Sequence, residues 1–163
     1  MAKKKSTGGD DTGAAAQDAA KPYVVLARKY RPQTFDDLIG QDALVTTLKN
    51  AFTAGRIAQG YMLTGVRGVG KTTTARILAR ALNYEAPDSA KGGIDKPTID
   101  MPGLGRHCAE IMEGRHPDVF EMDAASNTGV DNIREIIDSA QYTPILARTK
   151  VFIIDEVHML SKG

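Results

Sequence analysis

Apolar positions along the chain alternate between two spacings, and that alternation predicts its architecture. Leu44, Leu48, Ala51 and Phe52 recur at i, i+4, i+7 and i+8, the rhythm of one helix face. Asp42 is placed to cap that helix and Gly55 to stop it. The apolar run Tyr61-Met62-Leu63 reads as a short strand, after which Ala75, Leu78, Ala79 and Leu82 return to helical spacing. A brief helix is expected over residues 108 to 113 and a strand over Val119-Phe120-Glu121-Met122. Val130, Ile133, Ile137 and Ala140 then share a face of a helix that stops before Pro144. Val151-Phe152-Ile153-Ile154 is a continuous apolar run, as expected of a strand buried on both faces. Strands alternating with helices predict an α/β fold with a parallel sheet.

Three stretches fall outside this rhythm. Residues 1–21 have no aromatic or branched aliphatic side chain and cannot bury enough apolar surface to offset their ordering entropy, so a disordered tail is expected. Its Lys3–Lys5 run reads as a solvated end or as a weak nucleic-acid contact. Order is expected from about Tyr23, with Pro32 holding Arg31 extended or in a turn. Residues 83–107 contain Pro87, Pro97, Pro102, Gly92, Gly93, Gly103 and Gly105 and read as a surface insertion, longer than an ordinary connection.

Composition narrows the classes. A chain of 163 residues with 42% hydrophobic content is enough for one domain with a packed core. The net charge of +1 neither favours nor excludes nucleic acid, because a local basic face can hide in a balanced total. With Cys108 alone, an internal disulfide and an all-thiolate metal cage are excluded. No apolar run approaches the length of a membrane span, and no apolar region follows Lys3–Lys5 to make a secretory signal, so a cytoplasmic protein is expected.

The chemistry centres on Gly65-Val66-Arg67-Gly68-Val69-Gly70-Lys71-Thr72, which satisfies G-x-x-x-x-G-K-[ST] between the predicted Tyr61 strand and the next helix. Glycines let a backbone wrap round phosphate oxygens and point successive N–H groups at them, and the helix N-terminus adds partial positive charge. The cradle Gly65–Thr73 is therefore the candidate nucleotide site, with Lys71 reaching the β/γ-phosphates and Thr72 ligating Mg²⁺. Asp155-Glu156 closes the buried run about eighty residues later, where an acid at a strand's carboxyl end projects into the phosphate crevice. Asp155 is expected to hold Mg²⁺ with Thr72, and Glu156 to accept a proton from the attacking water. A carboxylate directly after the metal-binding acid favours ATP hydrolysis over transfer to a small molecule.

Further motifs sharpen the assignment. Arg31-Pro32-x-x-Phe35-x-x-x-x-Gly40-Gln41, the P-loop, Asp123-Ala124-Ala125-Ser126, Gln141-Tyr142-x-Pro144 and Ile154-Asp155-Glu156-Val157-His158-Met159-Leu160 resemble the clamp-loader branch of the AAA+ ATPases. Within it, the likeness is to the amino-terminal end of the gamma/tau subunits of bacterial DNA polymerase III, from about Tyr23 onward. The resemblance implies a P-loop fold of AAA+ type, and an ATPase that opens a sliding clamp and closes it on primer–template DNA. It implies assembly with delta and delta-prime subunits and further gamma/tau copies. It also implies that the segment before the P-loop closes over adenine, which makes Tyr30, Arg31, Pro32, Ile39 and Gly40 candidate base and ribose contacts or simply packing residues. Ser126, Asn127 and Thr128 lead into the helix carrying Asn132 and Arg134; they either cap it or bring its N-terminus to a DNA phosphate, and base-specific reading is not indicated.

Two departures from that family stand out. Its typical members carry a four-cysteine zinc module after the P-loop helix, whereas Tyr84 stands here where the first cysteine is expected, and only the last, Cys108, remains. His107, His116 and Cys108 without the usual spacing make a poor tetrahedral set, so zinc is not expected and Cys108 reads as a small buried hydrophobe at a helix start. The family's fourth strand, γ-phosphate sensors, arginine finger, lid and collar would lie past Gly163. The chain is thus read as an amino-terminal fragment, weakly stable and weakly hydrolytic alone, a reading that a cooperative, high-enthalpy calorimetric melt of these 163 residues would contradict. Two other functions stay open: a nucleotide-sensing scaffold without turnover, and another AAA+ DNA machine such as a branch-migration motor.

Overall fold

The computed structural model describes residues 26, 30–88, 95–127 and 129–160. The chain divides into two units, Met1–Tyr30 and Arg31–Gly163. In the first, Tyr30 N–H donates to the Leu26 carbonyl at 2.9 Å, and the expected tail at 1–21 lies outside the described residues. The second holds helix α1 (Asp42–Thr53), α2 (Lys71–Leu82), α3 (Cys108–Glu113), strand β1 (Val119–Asp123), α4 (Val130–Ala140), β2 (Val151–Asp155) and a 3-10 turn, Val157–Met159.

Strands β1 and β2 pair in parallel with Val119 opposite Val151 and Asp123 opposite Asp155, which sets two carboxylates side by side at the carboxyl end of the sheet. Phe120 and Phe152, opposite each other, stack with centroids 5.2 Å apart, a cross-strand aromatic pair of the kind that fixes register. The expected strand at Tyr61-Met62-Leu63 does not form, and Met62 is 81% exposed. A strand needs a neighbour for its backbone donors and acceptors, and among the described residues none pairs with this run. For the same reason the apolar run of β2 is not buried on both faces: Ile153 is buried, while Val151, Phe152 and Ile154 are only partly so.

Helix α2 is the central element. Thr74, Ile77, Leu78, Ala79, Arg80 and Ala81 are all buried, more than the single face its spacing suggested. Ile77, Leu78 and Ala81 join Phe35, Leu38, Leu48 and Tyr84 in one core cluster. Ala79, on the other side, packs with Ile111, Val119 and Ile153, its small side chain letting the helix approach the sheet. Arg76 grips Glu121 of β1 through two nitrogens, at 2.7 and 2.8 Å, and donates to the Met112 carbonyl of α3.

Elsewhere the predicted helices form, with corrected ends. Gln41 rather than Asp42 occupies the N-cap of α1, and Asp42 lies in the first turn, where its charge suits the helix dipole. Neither Ser126 nor Asn127 caps α4; Gly129 stands at its N-cap, while the Ser126 hydroxyl and the Asn127 amide turn back to Asp123. The described ends of the 83–107 insertion are built into the core, since Tyr84, Ala86 and Met101 are buried and Glu85 bridges Asp95. Gly105 passes so close that an added Cβ would lie 2.6 Å from the Glu85 carbonyl and 3.0 Å from the Tyr84 ring.

The connection into β2 is held by side chains that replace backbone partners. Asn83, just past α2, donates to the Thr149 carbonyl at 2.9 Å and accepts its N–H at 2.7 Å. Asp118, fully buried, accepts the N–H groups of Ile145, Leu146 and Ala147 at 2.7, 2.7 and 2.8 Å. Burial alone would raise the pKa of Asp118, but those three donors and nearby His116 outweigh it and bring it below 3.8.

Two stability effects follow. A carboxyl group with a depressed folded pKa stabilises above its unfolded pKa and loses that contribution as pH falls through the folded value. Thermal melts should therefore weaken below about pH 4, and Asp118→Asn should cost about 2–3 kcal/mol at neutral pH and flatten that dependence. Gly105→Ala should cost about 1–3 kcal/mol in a urea titration, because the opposing carbonyl belongs to the backbone and cannot swing away.

Candidate functional site

The glycine-rich loop reaches its shape through backbone conformations that side chains disfavour. Gly68 and Gly70 have φ of 84° and 93°, in the left-handed region, and Gly70 is the N-cap from which α2 begins at Lys71. The first helical bond runs from Thr74 N–H to the Gly70 carbonyl at 2.8 Å. The backbone donors of Lys71, Thr72 and Thr73 therefore precede the helix's own ladder and are available to an anion. Lys71 Nζ folds back onto the carbonyls of Gly65 and Val66 at 3.0 and 3.1 Å, and Gln41 Nε2 donates to the Val69 carbonyl at 3.2 Å.

Opposite this loop lies the carboxyl end of β2. Thr72 Oγ1 donates to Asp155 Oδ2 at 2.6 Å, joining two residues 83 positions apart. The other oxygen of Asp155 accepts the Glu156 N–H at 3.0 Å. The Asp155 carbonyl accepts the Ala124 N–H at 2.9 Å, which ties the chain leaving β1 to the end of β2. Glu156 is the one non-glycine among the described residues with positive φ, at 48°, a conformation that costs free energy in a side-chain-bearing residue. Its carboxylate lies 3.5 Å from His158 Nδ1.

A cleft of about 650 Å³ lies between the loop and the strand ends. Of the residues singled out from the sequence, Arg31, Arg67, Gly68, Gly70, Lys71, Thr72, Thr73, Asp155 and Glu156 line it. Gly65, Val66 and Val69 are outside the lining, and their carbonyls accept hydrogen bonds from Lys71 and Gln41. Pro32, Ile39 and Gly40 are outside the lining, with Ile39 97% exposed, and Tyr30 belongs to the first unit.

Four lining residues escaped the sequence reading as site residues: Asp123, Ala125, His158 and Met159. Asp123 was legible in principle as the acid directly after the predicted strand 119–122, as Asp155 directly follows the apolar run 151–154. The Ser126 hydroxyl and the Ala125 N–H, at 2.7 and 2.9 Å, draw its pKa below 3.8 and keep it ionised. Chemically, the cleft sets cationic side chains and helix N–H groups against a floor of carboxylate oxygens. That is an arrangement for a polyanion carrying a hard divalent cation.

Residues 40–163 match the family described as DNA polymerase III, delta subunit. The chain is 49% identical over 140 residues to DNA polymerase III subunit tau of Escherichia coli, covering 86% of this chain and 20% of that one. It is 49% identical over 140 residues to subunit gamma of Buchnera aphidicola (strain APS), covering 86% of this chain and 36% of the other. It is 44% identical over 142 residues to subunit tau of Bacillus subtilis, covering 86% and 23%. The chain thus spans between about a fifth and about a third of the length of these curated relatives. Among the described residues no helix is long and apolar enough to cross a membrane. With the match extending over most of the chain, this protein belongs to the DNA polymerase III subunit family and is similar within it to the tau and gamma subunits.

Proposed function

We propose that this chain carries the ATP-binding and ATP-hydrolysing site of a clamp-loader subunit. The observation that supports it best is the 2.6 Å bond from Thr72 to Asp155, which converges two hard oxygen donors beside a glycine-rich helix start. In this reading the N–H groups at the start of α2 receive the phosphates, and Lys71 leaves the Gly65 and Val66 carbonyls to neutralise them. Thr72 and Asp155 hold Mg²⁺, which when bound offsets the charge developing on the transferred phosphoryl group. Glu156 orients the attacking water and takes its proton as the γ-phosphoryl bond breaks. Arg31 and Arg67 add positive charge to the same cleft, so Arg31 is assigned to phosphate or ribose and no longer to the base.

The relatives' names support placing this activity in DNA polymerase III. The partners that follow are the delta and delta-prime subunits, further gamma/tau copies, the sliding clamp, and primer–template DNA bound without sequence specificity.

The test uses the full-length protein and a fluorescent ATP analogue with Mg²⁺. Lys71→Ala should weaken binding by roughly 100-fold or more, the loss of a charge-assisted phosphate contact. Glu156→Gln should keep binding within a few-fold and lower turnover by about 10²–10⁴-fold, the usual contribution of a positioned general base. Turnover unchanged in Glu156→Gln would favour the nucleotide-sensing scaffold. Hydrolysis indifferent to a sliding clamp and primed DNA would favour a different DNA motor.

A further inference from the structure

The family resemblance implies a zinc module between α2 and α3, and this chain's own side chains do not fit one. We infer that the segment from Asn83 to His116 is cross-linked by the buried guanidinium of Arg80, in place of a metal ion. Arg80 is 2% exposed and lies in α2. Its Nε donates to Cys108 Sγ at 2.8 Å, one terminal nitrogen to the Gln33 carbonyl at 2.6 Å, and the other to the Gly103 carbonyl at 2.7 Å. One planar fork thus joins α2 to the segment before the glycine-rich loop, to the insertion and to the start of α3. The planar guanidinium holds these three donors in a fixed relation to one another. Cys108 Sγ also accepts the Gly105 N–H at 3.2 Å, so its sulfur is enclosed by donors, one of them cationic, and offers no open face to a dication.

Tyr84 completes the cross-link. Its hydroxyl donates to the Pro102 carbonyl at 3.0 Å, and its fully buried ring lies against Gly105. Burial raises its pKa above 10.0, which keeps the phenol protonated as the donor.

One ligand cluster remains to be weighed. His107, Glu110 and His116 bring their donor atoms within 4.8 Å of one another. The hydrogen bonds decide against it. Asp118 N–H donates to His116 Nδ1 at 3.0 Å, so in the neutral ring the proton sits on Nε2, the nitrogen that faces His107 Nδ1 at 3.0 Å. A metal-ligating histidine donates through its second nitrogen, whereas the second nitrogen of His116 meets a donor. Burial and the neighbouring His107 lower the pKa of His116 and keep that ring neutral. His107, with Nε2 3.6 Å from Glu85, and Glu110 are then the two remaining ligands, fewer than the three or four protein donors of a zinc site.

The experiment is metal analysis and thermal unfolding of the full-length protein. Zinc content should be the same in the wild type and in a variant combining His107→Gln, Cys108→Ser and His116→Gln. A strong chelator should leave the wild-type melting temperature unmoved. Arg80→Met should lower that temperature, and added zinc should not restore it. One zinc per chain lost in the combined variant, a chelator-induced fall in melting temperature, or an Arg80→Met protein as stable as wild type would each overturn the inference. The chelator melt needs no variant to fold.

Discussion

The burial of α2 on nearly every side is the constraint on which the rest of the second unit depends. A helix with only one apolar face could rest on a sheet and turn its other residues to water. This one has Ile77, Leu78 and Ala81 in one cluster and Ala79 in another, so both sides must be covered. Polar residues on such a helix have to find partners inside the protein. Arg76 finds Glu121, Arg80 finds Gln33, Gly103 and Cys108, and Asn83 past its end finds Thr149. Each of these bonds fixes another segment to the helix, and the position of α2 in turn fixes where its N-terminus points.

That N-terminus is where the cleft forms. The left-handed glycines 68 and 70 carry the chain into α2 without the steric cost a side chain would add, which leaves donors in front of the helix. The parallel pairing of β1 with β2 carries Asp123 and Asp155 to the same edge. Helix start and strand end are brought within hydrogen-bonding distance because α2 packs directly on β2. The cleft is thus a consequence of core packing.

Much of this was legible in the chain because it rests on local signals. Helical spacing placed α1, α2 and α4 within a residue or two, the brief helix expected over 108–113 formed as α3, and the apolar runs at Val119 and Val151 formed the two strands. Gly68, Gly70, Lys71, Thr72, Asp155 and Glu156 were picked out by spacing alone, and all line one cleft. What misled was everything requiring a neighbour. Tyr61-Met62-Leu63 has the composition of a strand but no partner among the described residues. The insertion looked superficial because its prolines and glycines are visible in the sequence, while the burial of Tyr84 and Met101 is not.

The sequence by itself determined the alternation of elements, the glycine-rich loop and the acidic strand end, because each depends on residues close together in the chain. Tertiary structure alone decided which side chains meet across it. It paired Arg80 with Cys108, nested Asp118 under Ile145, Leu146 and Ala147, fixed the tautomer of His116, and added Asp123 to the cleft. Such contacts join segments that are distant in sequence, and their geometry exists only once α2 is buried between two clusters and the strands are in register.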